Sequence, residues 1–244
     1  RIQLRANSQI MKGNIAQLDI FAQNDWKLPI YFTSGGFDGS LGLESYYQLE
    51  GLAYKVVPIY TPRESPLVMG RIDTEKMYDK VMNKFTWGRM NEEDVQLDYY
   101  TIRTFSVIRF RSLHTRLALA LLEKGDTVRA VKVLDRCMEL APHDVLPYDR
   151  YVAGLTFPNS QGQTLHHEGI IEAYYMCGEN QKANEILREY NEILTERMNY
   201  FQSRNKRLFD NVQQDWYEVM AQLEELQVLQ RQYGGSPNDF ILGQ

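Results

Sequence analysis

The chain has 244 residues, of which 43% are hydrophobic and 24% charged, with a net charge of −5 and a pI near 5.5. This composition excludes a disordered chain and a membrane-embedded one, and the absence of a basic excess sets nucleic acid aside as a partner. Two cysteines, Cys137 and Cys177, are too few for a disulfide framework, which leaves a single bridge between them as an open alternative.

No stretch approaches the ~18 consecutive apolar residues that span a bilayer. The start, Arg1-Ile2-Gln3-Leu4-Arg5, lacks an apolar signal region, the pattern expected of an excised or processed segment. Composition shifts near residue 88. Eight of the 16 glycines and four of the eight prolines lie at or before Gly88, whereas Arg89 to Ala141 holds one glycine and no proline.

In the turn-rich first part, Ile15, Leu18, Ile20 and Phe21 predict a short helix ending near Asn24-Asp25, because Pro29 disfavours helical geometry before it. Leu28 to Thr33 reads as a buried strand stopped by Gly35-Gly36, Leu43 to Tyr54 as a short helix, and Tyr54 to Ile59 as a second strand. This alternation favours a small α/β layer with parallel strands. Ile72 to Phe85 reads as a further helix capped by Asp73 or Thr74, with Met77, Val81, Met82 and Phe85 on one face.

From Thr101 the pattern becomes that of long helices. Leu113, Leu117, Leu121 and Leu122 precede Gly125, a C-cap, and Asp126 then caps a helix through Ala130, Val133, Leu134 and Cys137 that Pro142 closes. Residues 111–142 fit a tetratricopeptide-type hairpin, with Leu117-Ala118 at the paired large and small positions and Ala130 opening the second helix. Adding 53 gives a weaker copy in which Gly125 maps to Gly178, Ala130 to Ala183, Leu134 to Leu187 and Leu121 to Tyr174. The excess stride makes residues 145–163 an insertion. Glu179 to Tyr233 has no Gly or Pro, and Val212, Trp216, Val219, Leu223 and Leu226 form a coiled-coil-like stripe on one long terminal helix that caps the array. The expected fold is mainly α: residues 1–88 a small α/β part, 89–197 tetratricopeptide-like repeats, and 198–244 a capping helix and tail.

In such arrays the first helix of each hairpin lines a concave groove. That register selects Arg111, Ser112, Thr115, Leu119 and Leu122, followed by Glu168, Glu172 and Tyr175, as peptide-groove candidates. Arg103, Arg109, Arg111 and Arg116 read as a solvated basic face, with a carboxylate or phosphorylated partner as the sharper alternative. The loop Gly35-Gly36-Phe37-Asp38-Gly39-Ser40-Leu41-Gly42 follows a strand as phosphate cradles do, yet fits neither GxGxxG nor a P-loop. Gly35, Gly36, Asp38 and Glu44 are therefore candidates only for a sugar, nucleotide or peptide contact. His166-His167-Glu168, read on a helix, places adjacent imidazoles about 100° apart and makes a poor chelate. No catalytic residue, metal or cofactor is expected.

The phrases Asn24-Asp25-Trp26-Lys27-Leu28-Pro29-Ile30-Tyr31-Phe32, Leu41-Gly42-Leu43, and Tyr47 through Gly51 to Ile59 carry a resemblance, as do Met82 to Gly88 and Leu117 to Asp126. The chain resembles the soluble C-terminal region of a bacterial multi-pass membrane family related to protein O-mannosyltransferases. The resemblance implies an upstream membrane domain of the lipid-linked-sugar glycosyltransferase type and a position on the extracytoplasmic, periplasmic face of the inner membrane. It carries no catalytic residue onto this chain. The expected function is an accessory protein- or peptide-interaction domain, for instance one that receives an acceptor protein. The rivals are a sugar- or nucleotide-binding module built on loop 35–42 and a purely structural brace.

Overall fold

The structure is a computed structural model that describes residues 10–33, 41–60, 70–89, 92, 94–103, 106–158, 164–203 and 206–234, with side chains left aside at 103, 106–109, 157–158 and 206–210. The chain is mainly α, with two small sheets among the described residues, and it divides into two compact units, Arg1–Thr86 and Trp87–Gln244.

The first unit opens with α1, Lys12–Asn24. Asn14 accepts from the backbone N–H of Met11 at 2.8 Å and so satisfies a donor at the helix start. Asp25 closes the helix in the left-handed region at φ 47. Then come β1 (Tyr31–Phe32), a single 3₁₀ turn (Leu43–Tyr46), β2 (Tyr47–Glu50), β3 (Ala53–Val56) and β4 (Arg71–Ile72), in the sheet order β1-β3-β2-β4.

This sheet corrects the parallel α/β expectation. β2 and β3 form an antiparallel hairpin, β1 adds antiparallel to β3, and only β4 runs parallel to β2. The helix expected over Leu43 to Tyr54 is one 3₁₀ turn followed by that hairpin. Gly51, at φ 74, opens its two-residue turn in a conformation that L side chains avoid. One sheet face carries Tyr47, Leu49, Tyr54, Val56 and Phe32, and its core is Leu41, Leu43, Tyr47 and Val56 packed by Leu18, Phe21, Ile30, Phe32 and Tyr54. The opposite face carries Tyr31, Gln48, Lys55, Arg71 and Glu50.

The helix expected from Ile72 is α2, Thr74–Tyr78, capped by the Asp73 carboxylate on Lys76 N, and it widens into a π-helical segment over Asp79–Lys84. Ile72 itself pairs in β4. Met77 and Val81 are buried, and Gly51 N–H donates to the Met77 sulfur at 2.9 Å.

In the second unit, α3 (Tyr99–Arg103) precedes α4 (Ser106–Glu123) and α5 (Thr127–Leu140), which pack together. Leu113, Leu117 and Leu121 recur every four residues and are buried, and Ala118 and Ala130, at 1% and 0% exposure, let the two backbones approach. Gly125, at φ 78, ends α4: its N–H donates to Leu122 O and that of Asp126 to Leu121 O, the paired bonds of a Schellman turn.

The same turn recurs 53 residues on. α7 (Ile170–Met176) ends at Gly178, at φ 82, whose N–H donates to Tyr175 O while that of Glu179 donates to Tyr174 O, and α8 (Asn180–Gln202) follows. Ala183 and Leu187 are buried as Ala130 and Leu134 are. Asp135 of α5 ties the two pairs by accepting from the Tyr174 hydroxyl at 3.0 Å and Lys182 Nζ at 2.7 Å.

Two further expectations are corrected. The helix reading of His166-His167-Glu168 is one: α6 (Arg150–Ala153) runs into β5 (Gly154–Pro158), which pairs antiparallel with β6 (Thr164–Glu168), so these three residues sit on a strand. Strand geometry follows from the β-favouring Thr156 and Phe157 on β5 and Thr164 on β6. The single terminal helix is instead α8 and α9 (Lys206–Tyr233), packed side by side. The run free of Gly and Pro still breaks after Gln202, where Ser203 turns its hydroxyl back to Tyr200 O. Of the expected α9 stripe Val219 and Leu226 are buried, Val212, Trp216 and Leu223 are partly exposed, and Leu229, outside the stripe, is buried as well.

Candidate functional site

The α4 groove candidates divide by burial. Ser112, Leu119 and Leu122 are partly exposed, whereas Arg111 and Thr115 are interior. Thr115 returns its hydroxyl to Arg111 O at 3.0 Å. Arg111 is fully buried, and its guanidinium donates to Pro147 O at 2.8 Å, Leu146 O at 2.5 Å and Ala141 O at 3.3 Å, and to Asp149 Oδ2 at 3.3 Å. Asp149 in turn caps α6 through Tyr151 N. Burial, the largest influence, pushes the Asp149 carboxyl above the ordinary carboxylate range even with Arg111 beside it. Arg111 is thus an internal tie from α4 to the segment that enters α6, and not a groove residue. The side chains of Arg103 and Arg109 lie outside the described residues, and Arg116 is 9% exposed.

The second set of candidates converges on one polar cluster. On β6, His166 Nε2 lies 2.5 Å from Glu172 Oε2 of α7, while its Nδ1 lies 3.0 Å from Thr156 Oγ1 of β5 and 3.4 Å from Glu225 Oε1 of α9. Glu172 also accepts from the Tyr233 hydroxyl at 3.1 Å, and the Tyr233 ring stacks on Tyr175 with centroids 5.1 Å apart and planes 9° from parallel. Tyr175 donates to Asn184 Oδ1 at 2.5 Å. Glu172 and Tyr175 are buried at 6% and 5% exposure, Glu168 partly so. The α7 part of the expected groove is therefore occupied by the end of α9.

The hydrogen bond to Glu172, followed by the charges of Glu172, Glu225 and Glu168, outweighs desolvation and holds the His166 pKa above the usual imidazole value. The neighbouring His167 points to the other strand face, is buried, and has its pKa lowered by burial. Among the described residues its Nδ1 has no hydrogen-bond partner, nor does Nε2 of His114, whose pKa burial brings down to about 4. His114 Nδ1 meets Phe110 O at 2.7 Å, so its ring serves as a neutral core group against Phe110 and Trp87. Cys137 and Cys177 are free thiols.

Of the loop candidates, Gly35, Gly36 and Asp38 lie outside the described residues, and Glu44 is half-buried in the 3₁₀ turn. The first unit holds a different polar centre that the sequence reading did not single out. Glu50, whose side chain is 5% exposed, accepts from Tyr31 at 2.9 Å, Gln48 at 2.8 Å and Lys80 at 3.1 Å, with Lys55 at 3.9 Å. Burial alone would raise the Glu50 carboxyl, but the Lys80 and Tyr31 hydrogen bonds hold it below the ordinary range. Arg71 donates to Gln48 Oε1 at 2.8 Å, so the carboxylate anchors a polar row across the sheet. Among the described residues, no group of three or more His, Cys, Asp or Glu is arranged to hold a metal.

The His166 cluster joins an imidazole, a hydroxyl and two carboxylates from four elements. Such an arrangement can take up and release one proton. The alternation of β-favouring residues around His166 was a local signal for the strand pair, but nothing in the sequence brings Glu225 or Tyr233 to His166.

These features define a mainly α protein made of a small mixed-sheet unit and a helical unit with two related helix pairs. Residues 1–76 match the family model described as TMEM260-associated domain 2, which takes in α1, the whole mixed sheet and the start of α2. The match is consistent with a membrane-protein context for the first unit. No curated protein and no solved structure matches the chain. No helix among the described residues is long and apolar enough to cross a membrane.

Proposed function

We propose that this chain is an extracytoplasmic accessory domain of a membrane glycosyltransferase-like protein related to the O-mannosyltransferases, and that its helical unit receives protein or peptide. The observation that carries the reading is the match of residues 1–76 to a TMEM260-associated domain, in line with the phrases from Asn24 to Ile59. What supports an interaction role for the helical unit is its two related helix pairs, whose first helices end on the same Gly turn. The partly exposed α4 positions Ser112, Leu119 and Leu122 supply the contact surface, and an acceptor protein is the partner. The chain itself carries no catalytic step in this reading.

Deleting residues 87–234 from the parent membrane protein in cells tests it. The expected result is a membrane part of unchanged abundance and acceptor proteins that lose their glycan. Loss of the membrane part itself would make the chain a brace, and undiminished acceptor modification would overturn the reading.

A further inference from the structure

The last turns of α9 lie over α7 where the β5–β6 hairpin meets both. Tyr233 stacks on Tyr175 and donates to Glu172, and Glu225, two turns earlier on α9, reaches His166. One imidazole thus touches β5, α7 and α9, and 35% of its side chain is open to solvent, so protons reach it without unfolding.

The groups around it set what each protonation state can do. Glu172 faces it from α7, Glu225 from α9, Thr156 from β5 and Glu168 from its own strand, with the Tyr233 hydroxyl on the far oxygen of Glu172 and Arg116 acting on the neighbouring His167. A charged imidazole donates from both nitrogens, so it serves Glu172 through Nε2 and the Glu225 side through Nδ1. A neutral one keeps a single N–H. The short contact to Glu172 retains that proton, Nδ1 becomes an acceptor that the Thr156 hydroxyl can fill, and the Glu225 carboxylate is left facing a lone pair and a second carboxylate. The α9 contact is therefore the one that responds to pH.

We infer that His166 is a proton-operated latch, which in its charged form holds the last turns of α9 to the β5–β6 hairpin and α7 through Glu225 and in its neutral form loosens that hold. The latch stands on the geometry of the second unit and does not depend on the function proposed above. Because the His166 pKa is raised on folding, the stabilisation is complete below the ordinary value of 6.5 and is lost as pH rises through the higher folded value.

Hydrogen exchange of the whole chain, corrected for intrinsic rates and followed from roughly pH 5.5 to 8.5, reads the latch directly. Protection of residues 225–234 should fall about tenfold as pH rises, while the amides of α4 and α5 stay unchanged. Glu225→Gln should shrink that step to less than about twofold, and His166→Gln should abolish it. A flat wild-type profile, an undiminished step in Glu225→Gln, or a step that persists in His166→Gln would each overturn the proposal. If His166→Gln does not fold, Glu225→Gln alone decides.

Discussion

Replacing Arg111 with methionine tests how the helical unit is tied together. The guanidinium is fully buried and serves three backbone carbonyls between Ala141 and Pro147 as well as the Asp149 carboxylate, and it lies 5.6 Å from the Tyr148 ring centroid. Methionine keeps most of the side-chain volume and removes every donor. Removing one partner of a buried pair costs about 3–5 kcal/mol, because the remaining groups stay desolvated. Asp149 retains 19% exposure of its side chain and can partly rehydrate, which places the expectation near the lower end, about 3 kcal/mol. Against a domain stability of about 5–15 kcal/mol this is a large loss. Urea unfolding monitored by far-ultraviolet circular dichroism measures it, and hydrogen exchange should show residues 141–153 losing protection first. Arg111→Lys should recover less than half, since one ammonium cannot reach all four acceptors. A loss below about 1 kcal/mol for Arg111→Met would refute the tie.

Gly169→Ala should destabilise the helical unit by about 1–3 kcal/mol in the same assay, because a Cβ there would sit 2.4 Å from Gly154 N and 2.5 Å from Val152 O, both backbone atoms; a neutral substitution would show that α6 and α7 are not held this closely. Glu50 contributes stability that is complete above its ordinary value of 4.5 and lost as pH falls through its lower folded value, so Glu50→Gln should flatten the acid limb of the stability curve of the first unit; an unchanged acid limb would contradict the buried network. Burial pushes the Cys137 thiol up to about 12, whereas Cys177 is only partly buried, so an alkylating reagent should mark Cys177 in the native protein and Cys137 only on unfolding; equal native rates by intact mass would refute this.

The helix pairs were legible because their signals are local and repeated. Leucines every four residues, alanines at the crossing and a Gly before an acidic residue mark Gly125 and, 53 residues on, Gly178. The β2–β3 hairpin was missed because Tyr46, Tyr47, Leu49 and Leu52 have a spacing that a helix also satisfies. Gly51, between Leu49 and Leu52, carried the opposing signal. The break between α8 and α9 has no Gly or Pro to announce it. At the site, Glu172 and Tyr175 were singled out for a groove, but that α9 covers them is a tertiary outcome: Tyr233 and Glu225 arrive from a helix whose return path no local pattern encodes. Glu50 escaped notice for the same reason, since its partners Tyr31, Lys55 and Lys80 come from three separate segments.

The proposed role of the helical unit is to receive a polypeptide for its membrane partner. A photo-crosslinking residue placed at the partly exposed Leu122, in the parent protein in its native membrane, tests it most directly. The expected result is a crosslink to an acceptor polypeptide on the extracytoplasmic side, lost when acceptors are depleted. Crosslinks confined to the protein's own chain, unchanged by acceptor depletion, would contradict it.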